Sequence, residues 1–477
     1  MIPLTLTQVA AATAGRLDAV PDPERTVSGA VVVDSRHAGP GGLFVAIPGE
    51  RVDGHDYAAG ALEGGAVAVL AERPVGVPAI VVADSVAALG ALASHVLTTI
   101  SPVVVGVTGS SGKTSTKDLL AQVLAVRGPI VAPRGSYNTE VGVPLTVLRA
   151  DETTRTLVLE LGARGIGHIE YLCRIAPPHV GVVLNVGTAH VGEFGGRDEI
   201  ARAKSELVRE LPESGTAVLN ADDPLVRQMA GLGAARVVMF GESVHADIRA
   251  ERVRLDERGR ASFDLVTPDG AAPVTLQLVG EHHVGNALAA AAVAWSLDLE
   301  LAGVAKALSD ATPRSPWRMA VTDRADGVTV VNDAYNANPE SMRAALKALA
   351  ALGTSRRTWA VLGEMLELGE SSPAEHDALG RQLVRLDIDR LIAVGEGARP
   401  IALGAAHEGS WGNEPSWVPD VAAALAMLRT ELEPGDVVLV KASRAAGLES
   451  VAEALLAATR GEPGEAFDDL GEQENAR

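Results

Sequence analysis

The sequence predicts an α/β protein of three domains: a central doubly wound sheet, a small α/β domain before it and a Rossmann-like domain after it. Three observations support this fold class. The 477 residues suit about three domains of ordinary size. Short apolar runs alternate with helical segments over most of the chain. Hydrophobic residues make up 47% and aromatic residues only 3%, with 50 glycines, which favours helices packed closely on parallel sheets.

Near residue 110, a glycine-rich turn joins a predicted strand to a predicted helix. The three valines at 103–105 are typical of a buried parallel strand, and residues 113–127 have the apolar spacing of a helix. A turn between two such elements lies at the carboxyl edge of a parallel sheet, where ligands bind in doubly wound folds.

The residues of this turn predict a nucleotide triphosphate site. Gly109 and Gly112 allow backbone N–H groups to surround a phosphate, Lys113 supplies a positive charge, and the Thr114 hydroxyl can reach a magnesium ion. Val107 stands where the strict Walker pattern has glycine, so the match is to Gly-x-x-Gly-Lys-Thr. The alternative interpretation is an ordinary glycine-rich turn.

Charge and composition exclude several classes of protein. With 41 basic and 61 acidic side chains the net charge is −20, which argues against a general nucleic-acid or membrane-surface binder. The single cysteine, Cys173, excludes an intrachain disulfide, and no apolar run is long enough to span a bilayer. Residues 1–15 lack the pattern of a signal peptide. We therefore expect a cytoplasmic protein without membrane insertion.

Residues 1–99 are predicted to form the first domain, in which short apolar runs alternate with glycine-rich turns. Ser35 and Arg36 lie beside one such turn, and Asp53 and His55 lie beside another. These side chains make a plausible socket for a sugar-nucleotide diphosphate, since arginine suits phosphate. They are equally well explained as turn residues.

Residues 100–312 are predicted to form the central parallel sheet, with a few antiparallel strands between 246 and 279. Three polar residues follow or end its strands: Glu160, Asn185 and His190. A glutamate and a histidine near a phosphate loop can complete a magnesium shell, although each alone is more often structural. Lys204 lies on the next predicted helix, where a solvated lysine is the simpler interpretation.

The remaining chain divides into a domain and a tail. Residues 313–460 repeat the alternation of strand and helix and predict a second α/β domain. Residues 461–477 are acidic and poor in apolar side chains, so we expect them to be disordered.

Several motifs resemble those of the Mur ligase family, and the resemblance extends along almost the whole chain. The most specific is Asn-Asp-Ala-Tyr-Asn-Ala-Asn-Pro-Glu-Ser-Met at 332–342, supported by Leu-Gly-Glu-Met-Leu-Glu-Leu-Gly at 362–369 and by the polar motifs at 34–36 and 53–56. The resemblance implies a UDP-binding domain, an ATPase domain and a Rossmann-like domain. Within the family, the chain is most similar to ligases that join D-alanyl-D-alanine to UDP-N-acetylmuramoyl-tripeptide through an acyl phosphate.

The resemblance also implies roles for particular residues. Lys113, Glu160, His190 and Lys204 would be catalytic, with Lys204 carbamylated. Magnesium would be held by Thr114, Glu160, His190 and Lys204. The other implied contacts to ATP come from Gly109, Ser110, Ser111, Gly112, Ser115, Asn138, Asn286, Arg318 and Asp333. The implied contacts to the substrates come from Ser35, Arg36, Asp53, His55, Asn336, Asn338, Ser443 and Arg444.

Two rival functions remain open at this stage. The first is a related ligase with a different amine, such as another Mur-type or a folylpolyglutamate-type enzyme. The second is a phosphate-loop protein that uses nucleotide only to change shape. The sequence predicts a monomer but leaves open whether the third residue of the tripeptide is lysine or diaminopimelate.

Overall fold

The computed structural model describes residues 1–49, 51–133, 135–187, 195–409 and 415–457. Each of the three larger sheets lies within one of the three predicted segments, which confirms the predicted fold class. The domain boundaries near residues 99 and 312 stay predictions. His190 and the acidic segment 461–477 lie outside the described residues.

The first domain contains a five-stranded sheet of order β2-β7-β6-β5-β4 and a separate antiparallel pair, β1 and β3. Its strands are β1 (Leu4–Thr5), β2 (Arg16–Asp18), β3 (Thr26–Val27), β4 (Val31–Val32), β5 (Leu43–Val45), β6 (Ala68–Ala71) and β7 (Ala79–Val81). Its α-helices are Leu6–Ala12, Ala58–Glu63 and Ser85–Ile100. Only β2 runs antiparallel in the larger sheet, so the carboxyl ends of β4 to β7 share one edge.

The central domain contains a nine-stranded sheet of order β16-β15-β14-β13-β12-β11-β8-β10-β9. Its strands are β8 (Val103–Thr108), β9 (Ile130–Val131), β10 (Thr156–Glu160), β11 (Val180–Val183), β12 (Thr216–Asn220), β13 (Arg236–Gly241), β14 (Ile248–Leu255), β15 (Arg260–Thr267) and β16 (Gly270–Val279). Its α-helices are Lys113–Val123, Gly142–Val147, His168–Ile175, Arg197–Arg209, Pro224–Arg227, His283–Ser296 and Leu301–Asp310. β14 to β16 pair antiparallel with one another, which confirms the predicted elaboration between 246 and 279.

Small side chains bring the central helices close to one another. The helix His283–Ser296 is buried along most of its length, and Ala287 and the run 289–292 are among its buried residues. It packs on the helix Lys113–Val123, directly behind the phosphate loop. Because alanine allows close approach of helix backbones, this packing accounts for a large core with few aromatic residues.

The third domain contains a six-stranded sheet of order β17-β18-β22-β19-β20-β21. Its strands are β17 (Ala320–Asp323), β18 (Thr329–Asn332), β19 (Thr358–Leu362), β20 (Arg390–Val394), β21 (Ser416–Val418) and β22 (Val437–Lys441). Its α-helices are Pro339–Leu352, Ser372–Arg385, Arg399–Glu408, Val421–Glu431 and Glu449–Ala457. All pairings except β17 with β18 are parallel.

Two predicted elements differ from the structure in length. The helix predicted over 113–127 ends as an α-helix at Val123 and continues as a 3₁₀ turn, Leu124–Arg127, because Gly128 then adopts a φ of 117°. The strand near Asn185 ends at Val183, two residues before Asn185, which leaves the sheet and contacts the phosphate loop. Among the described residues, no helix has both the length and the apolar character needed to cross a bilayer.

Candidate active site

The phosphate loop lies between β8 and the helix Lys113–Val123, as the sequence predicts. Gly112 adopts a φ of 80°, and a Cβ atom at this position would lie 2.6 Å from Oδ1 of Asn286. Both facts require glycine here. The Lys113 ammonium donates a hydrogen bond to the Gly109 carbonyl at 2.7 Å, so it lies across the loop. Burial lowers the pKa of Lys113, and the nearby Glu160 carboxylate opposes that shift.

Asparagines from distant parts of the chain hold the shape of this loop. The Asn185 side chain accepts from the Ser111 N–H at 2.9 Å and donates to the Ser111 carbonyl at 3.2 Å. Asn286 accepts a hydrogen bond from the Thr116 hydroxyl at 3.2 Å. Asn338, from the third domain, donates to the Ser110 carbonyl at 3.2 Å. The loop conformation therefore depends on contacts to residues up to 228 positions away in the chain.

Glu160, at the end of β10, is fully buried beside the loop. One carboxylate oxygen accepts from the Thr114 hydroxyl at 3.0 Å. The other accepts from Ser136 at 2.7 Å and from Asn138 at 3.0 Å. The structure thus brings together Glu160, Thr114 and Asn138, which the sequence singled out. Ser136 was missed, and its position two residues before Asn138 in the same loop was the available signal.

Lys204 lies on the helix Arg197–Arg209 and is only 5% exposed, so the interpretation as a solvated lysine is wrong. Burial lowers the pKa of its ammonium well below the ordinary value, and the positive charge of Lys113 lowers it further. Among the residues that the structure describes, no hydrogen bond or ion pair to the Lys204 ammonium is found. The uncharged amine is therefore favoured at this position.

Arg318 reaches the phosphate loop from the third domain. One guanidinium nitrogen donates to the Thr114 hydroxyl at 3.1 Å, and the guanidinium lies 4.1 Å from the centre of the Tyr335 ring. Its neighbours Trp317 and Met319 have left-handed backbones, with φ of 55° and 48°. Such strained residues persist only where the surroundings hold them, which positions Arg318 against the loop.

Asp333 forms a buried ion pair with Lys441 at 2.6 Å and accepts a hydrogen bond from the Met319 N–H at 3.0 Å. Lys441 also donates to the Asn336 carbonyl at 2.8 Å. Burial lowers the pKa of Lys441, and Asp333 opposes the shift. These contacts hold the segment after β18 close to Arg318. The roles of Asp333 in nucleotide binding and of Asn336 in substrate binding stay predictions.

The other predicted residues of the third domain also make contacts within that domain. Asn338 caps the helix Pro339–Leu352 by accepting from the Ser341 N–H at 2.8 Å. Ser443 accepts a hydrogen bond from the Leu366 N–H at 3.0 Å. Arg444 pairs with Glu449 and lies 4.3 Å from the centre of a tryptophan ring. Their predicted contacts to substrate stay predictions.

Two polar sockets lie in the first domain, at the ends of its strands. In the first, Arg36 donates to Asp34 through two nitrogens, at 3.1 and 2.8 Å, beside Ser35. The arginine lowers the pKa of Asp34. The Arg36 side chain is 57% exposed, so it is accessible to a ligand. The predicted substrate contacts of Ser35 and Arg36 stay predictions.

In the second socket, a buried His55 is held at both ring nitrogens. Nε2 accepts from the Glu72 N–H at 2.9 Å, so Nδ1 carries the proton and donates to Asp53 at 2.6 Å. Asp53 also accepts from the His55 backbone N–H at 3.0 Å and pairs with Arg73 at 2.9 Å, and these donors together lower the pKa of Asp53. The ring of His55 therefore has a structural role, and its predicted contact with substrate stays a prediction, as does that of Asp53.

The residues predicted to hold magnesium converge only in part within the described chain. Thr114 and Glu160 are in contact, and His190 lies outside the described residues. Within the described ranges, no group of three or more histidine, cysteine, aspartate or glutamate side chains has the arrangement of a metal site.

Comparison with known proteins gives the family of the chain. Family models match three segments: "Mur ligase family, catalytic domain" at 29–97, "Mur ligase middle domain" at 107–294 and "Mur ligase, glutamate ligase domain" at 317–444. The chain therefore belongs to the Mur ligase family, and it is an ATP-dependent ligase that forms amide bonds.

Within the family, the chain is similar over most of its length to particular ligases and to solved structures. The UDP-N-acetylmuramoyl-tripeptide–D-alanyl-D-alanine ligase of Mycobacterium tuberculosis is 51% identical over 96% of this chain and 98% of its own length. The ligase of the same name from Escherichia coli is 35% identical over 89% and 93%. A MurF crystal structure from Acinetobacter baumannii superimposes with a TM-score of 0.86 at 35% identity, covering 95% of this chain and 99% of that one. The Thermotoga maritima MurF structure in complex with ADP has a TM-score of 0.79 at 33% identity, covering 91% and 98%.

Proposed function

We propose that this chain joins D-alanyl-D-alanine to UDP-N-acetylmuramoyl-tripeptide with ATP, in the synthesis of peptidoglycan precursors. The similarity to the Mycobacterium tuberculosis ligase over nearly the full length of both chains supports this. The structural observation that carries the proposal is the junction of the phosphate loop with Glu160, Lys204 and an arginine from the third domain. A protein that uses nucleotide only to change shape would not require these residues to converge.

The chemistry requires two steps because a carboxylate is a poor acyl donor. An oxygen of the tripeptide carboxylate attacks the terminal phosphorus of ATP, the bond to the bridging oxygen breaks, and ADP leaves. The dipeptide amine then attacks the carbonyl carbon of the acyl phosphate, loses a proton, and phosphate departs. Lys113 and Arg318 offset the repulsion between the two anions in the first step. No nucleophilic side chain is needed.

We propose that ATP is used with Mg²⁺, held by Thr114, Glu160, His190 and Lys204. The hydroxyl of Thr114 and the carboxylate of Glu160 lie in contact at the loop, and hard oxygen atoms of this kind suit the ion. When bound, Mg²⁺ neutralises phosphate charge. A Lys204 ammonium does not fit such a ligand set, whereas an anionic derivative of Lys204 does.

We propose that this derivative is a carbamate. It forms when the uncharged amine of Lys204 attacks carbon dioxide, making an N–C bond and releasing one proton. Only the unprotonated amine reacts, and both burial and Lys113 lower the pKa of Lys204. The 5% exposure of the residue then shields the product from water.

An assay of phosphate release with and without D-alanyl-D-alanine tests the function. With ATP and the UDP-tripeptide present, we expect phosphate release to require the dipeptide, and mass spectrometry to show the UDP-pentapeptide. Omitting the UDP-tripeptide is the control. Phosphate release that is unchanged by the dipeptide would contradict the proposal and favour a nucleotide switch.

Replacement of Lys204 tests the carbamate. Lys204→Ala should lose most activity, and added short-chain carboxylates should restore part of it by supplying the missing anionic oxygen. Lys347→Ala is the matched control, since Lys347 is exposed on a helix of the third domain. Full activity of Lys204→Ala, or loss of activity that no carboxylate relieves, would refute the carbamate.

We further propose that the enzyme acts as a cytoplasmic monomer without a nucleic-acid partner. Its net charge of −20 supports the last point, because phosphate backbones repel an acidic surface. Sedimentation equilibrium at several protein concentrations tests the monomer, and a mass twice that of the chain would rule it out.

A further inference from the structure

A cavity of about 420 Å³ lies between the first and central domains. Asp84 and the first turn of the helix Ser85–Ile100 line one side of it. Glu140, Arg164 and the start of the helix His168–Ile175 line the other. None of these residues takes part in the phosphate site described above. The cavity is open to solvent and therefore accessible to a substrate that passes from the first domain to the central one.

The cavity contains both signs of charge. The Glu140 carboxylate accepts a hydrogen bond from Nε2 of His168 at 3.1 Å, and this contact lowers the pKa of Glu140 to about 2. The Arg164 guanidinium lies 3.6 Å from the other oxygen of Glu140, which is too far for a hydrogen bond, and its side chain is 54% exposed. Arg164 thus has donors available to a second carboxylate, while Glu140 stays ionised.

The helix ends around the cavity are already satisfied by the protein. Asp84 accepts the Val86 and Ala87 N–H groups at 2.8 and 2.9 Å. Glu206 accepts the Gly167 and Glu170 N–H groups at 2.6 and 3.0 Å. An anion in the cavity therefore depends on Arg164, and a cation depends on Glu140 and the nearby Asp84.

Two short stretches of chain connect the cavity to the site around Glu160. The Asn138 side chain donates to Glu160, and the Asn138 carbonyl accepts from the Gly162 N–H at 2.9 Å. Glu140 and Arg164 each follow this contact by two residues, an extended span of about 7 Å. The four bonds between the two substituted carbons of diaminopimelate span about 5 Å. A third residue whose carboxylate reacts beside Glu160 can thus place the end of its side chain in the cavity.

We propose that this cavity binds the side chain of the third residue of the tripeptide, and that Arg164 with Glu140 selects diaminopimelate over lysine. The inference rests on the proposed function. The end of diaminopimelate carries an ammonium and a carboxylate on one carbon, which matches the adjacent carboxylate and guanidinium of the cavity. The end of lysine carries only the ammonium and supplies no second carboxylate to the donors of Arg164.

The test compares two acceptors, UDP-tripeptides with diaminopimelate or lysine as third residue, by phosphate release at saturating ATP and D-alanyl-D-alanine. We expect the unaltered enzyme to favour diaminopimelate at least about tenfold in kcat/KM. Arg164→Ala should lower kcat/KM for diaminopimelate about tenfold and leave that for lysine within about twofold. Arg164→Lys should restore part of the preference. Arg174→Ala, which removes an exposed arginine of the adjacent helix, is the matched control.

The Glu140→Gln variant distinguishes the role of Glu140 from that of Arg164. It should lower kcat/KM for both acceptors, since both carry the ammonium that Glu140 binds. Equal losses for the two acceptors in Arg164→Ala, or an unaltered enzyme without preference, would overturn the inference while leaving the proposed function intact. No dipeptide-dependent phosphate release with either acceptor would overturn the proposed function, and the inference with it.

Discussion

The phosphate loop and the polar sockets of the first domain use charged residues in opposite ways. At the loop, Lys204 is buried without a charged partner among the described residues. The hydrogen bonds that described residues donate to the fully buried Glu160 come from neutral groups. In the first domain, Arg36 and Asp34 pair with each other at the surface. Burial of a charged group without an opposite charge lowers the free energy of unfolding, whereas an ion pair at the surface changes it little.

The difference shows how a functional role can be recognised in a structure. A buried charge that the fold leaves unbalanced requires an external reason, such as a nucleotide with its metal ion. A surface pair such as Arg36 with Asp34 already has a structural explanation, and a ligand must compete with that pair. We therefore expect substitutions at the loop to have larger effects on turnover than substitutions in the sockets.

The largest expected effect is that of Lys113→Ala. The Lys113 ammonium lies across the loop and offsets the repulsion between the tripeptide carboxylate and ATP, so its removal should lower kcat by about 10³-fold or more. The measurement is dipeptide-dependent phosphate release, with circular dichroism to confirm the fold. Lys306→Ala, at an exposed helix position, is the control. Near-normal turnover of Lys113→Ala would show that the loop is misassigned.

A smaller effect, on stability, is expected for Lys204→Met in buffer free of carbon dioxide and metal. The unfolded chain holds a proton at Lys204 up to about pH 10.4, whereas the folded chain releases it at lower pH. Between these two pKa values the unfolded state binds more protons, so the stability of the unaltered protein rises with pH. Lys204→Met should remove this slope and raise the free energy of unfolding near neutral pH by about 1–3 kcal/mol. Urea unfolding at several pH values provides the measurement, and an unchanged slope would count against a buried amine.

The smallest expected effect is that of Arg36→Ala. The KM for the UDP-tripeptide should rise about three- to tenfold, because one exposed phosphate donor is lost, with little change in the KM for ATP. Arg25→Ala, also exposed in the first domain, is the matched control. Equal increases in both KM values would contradict the proposal that the first domain binds the UDP-tripeptide and the central domain binds ATP.

Much of the fold followed from the sequence because its strands are continuous apolar runs. The strand end at Glu160 was predicted at its observed position, since the strand Thr156–Glu160 is a fully buried apolar run that stops at a charged residue. The edge strand Ala320–Asp323 was missed because it is short and half exposed, so its pattern does not differ from that of a loop.

The candidate site was harder to predict, because its geometry depends on contacts between distant residues. The glycine pattern identified the phosphate loop, but nothing local shows that Ser136 donates to Glu160. The sequence gives no sign that left-handed backbone on both sides of Arg318 directs that residue to Thr114. The burial of Lys204 likewise depends on packing around the whole helix, and composition alone favoured a solvated residue.

The support of the phosphate loop by Asn185, Asn286 and Asn338 has a consequence for the order of events in refolding. These contacts join residues 74, 170 and 228 positions apart in the chain. Long-range contacts of this kind form late, because the intervening chain must first be ordered. We expect secondary structure to return before the ability to bind nucleotide, which stopped-flow circular dichroism and a fluorescent ADP analogue can compare. Simultaneous recovery of the two signals would contradict this order. In the expected order, the recovery of nucleotide affinity reports the completed assembly of the second and third domains. This assembly comes after the helices and strands have formed.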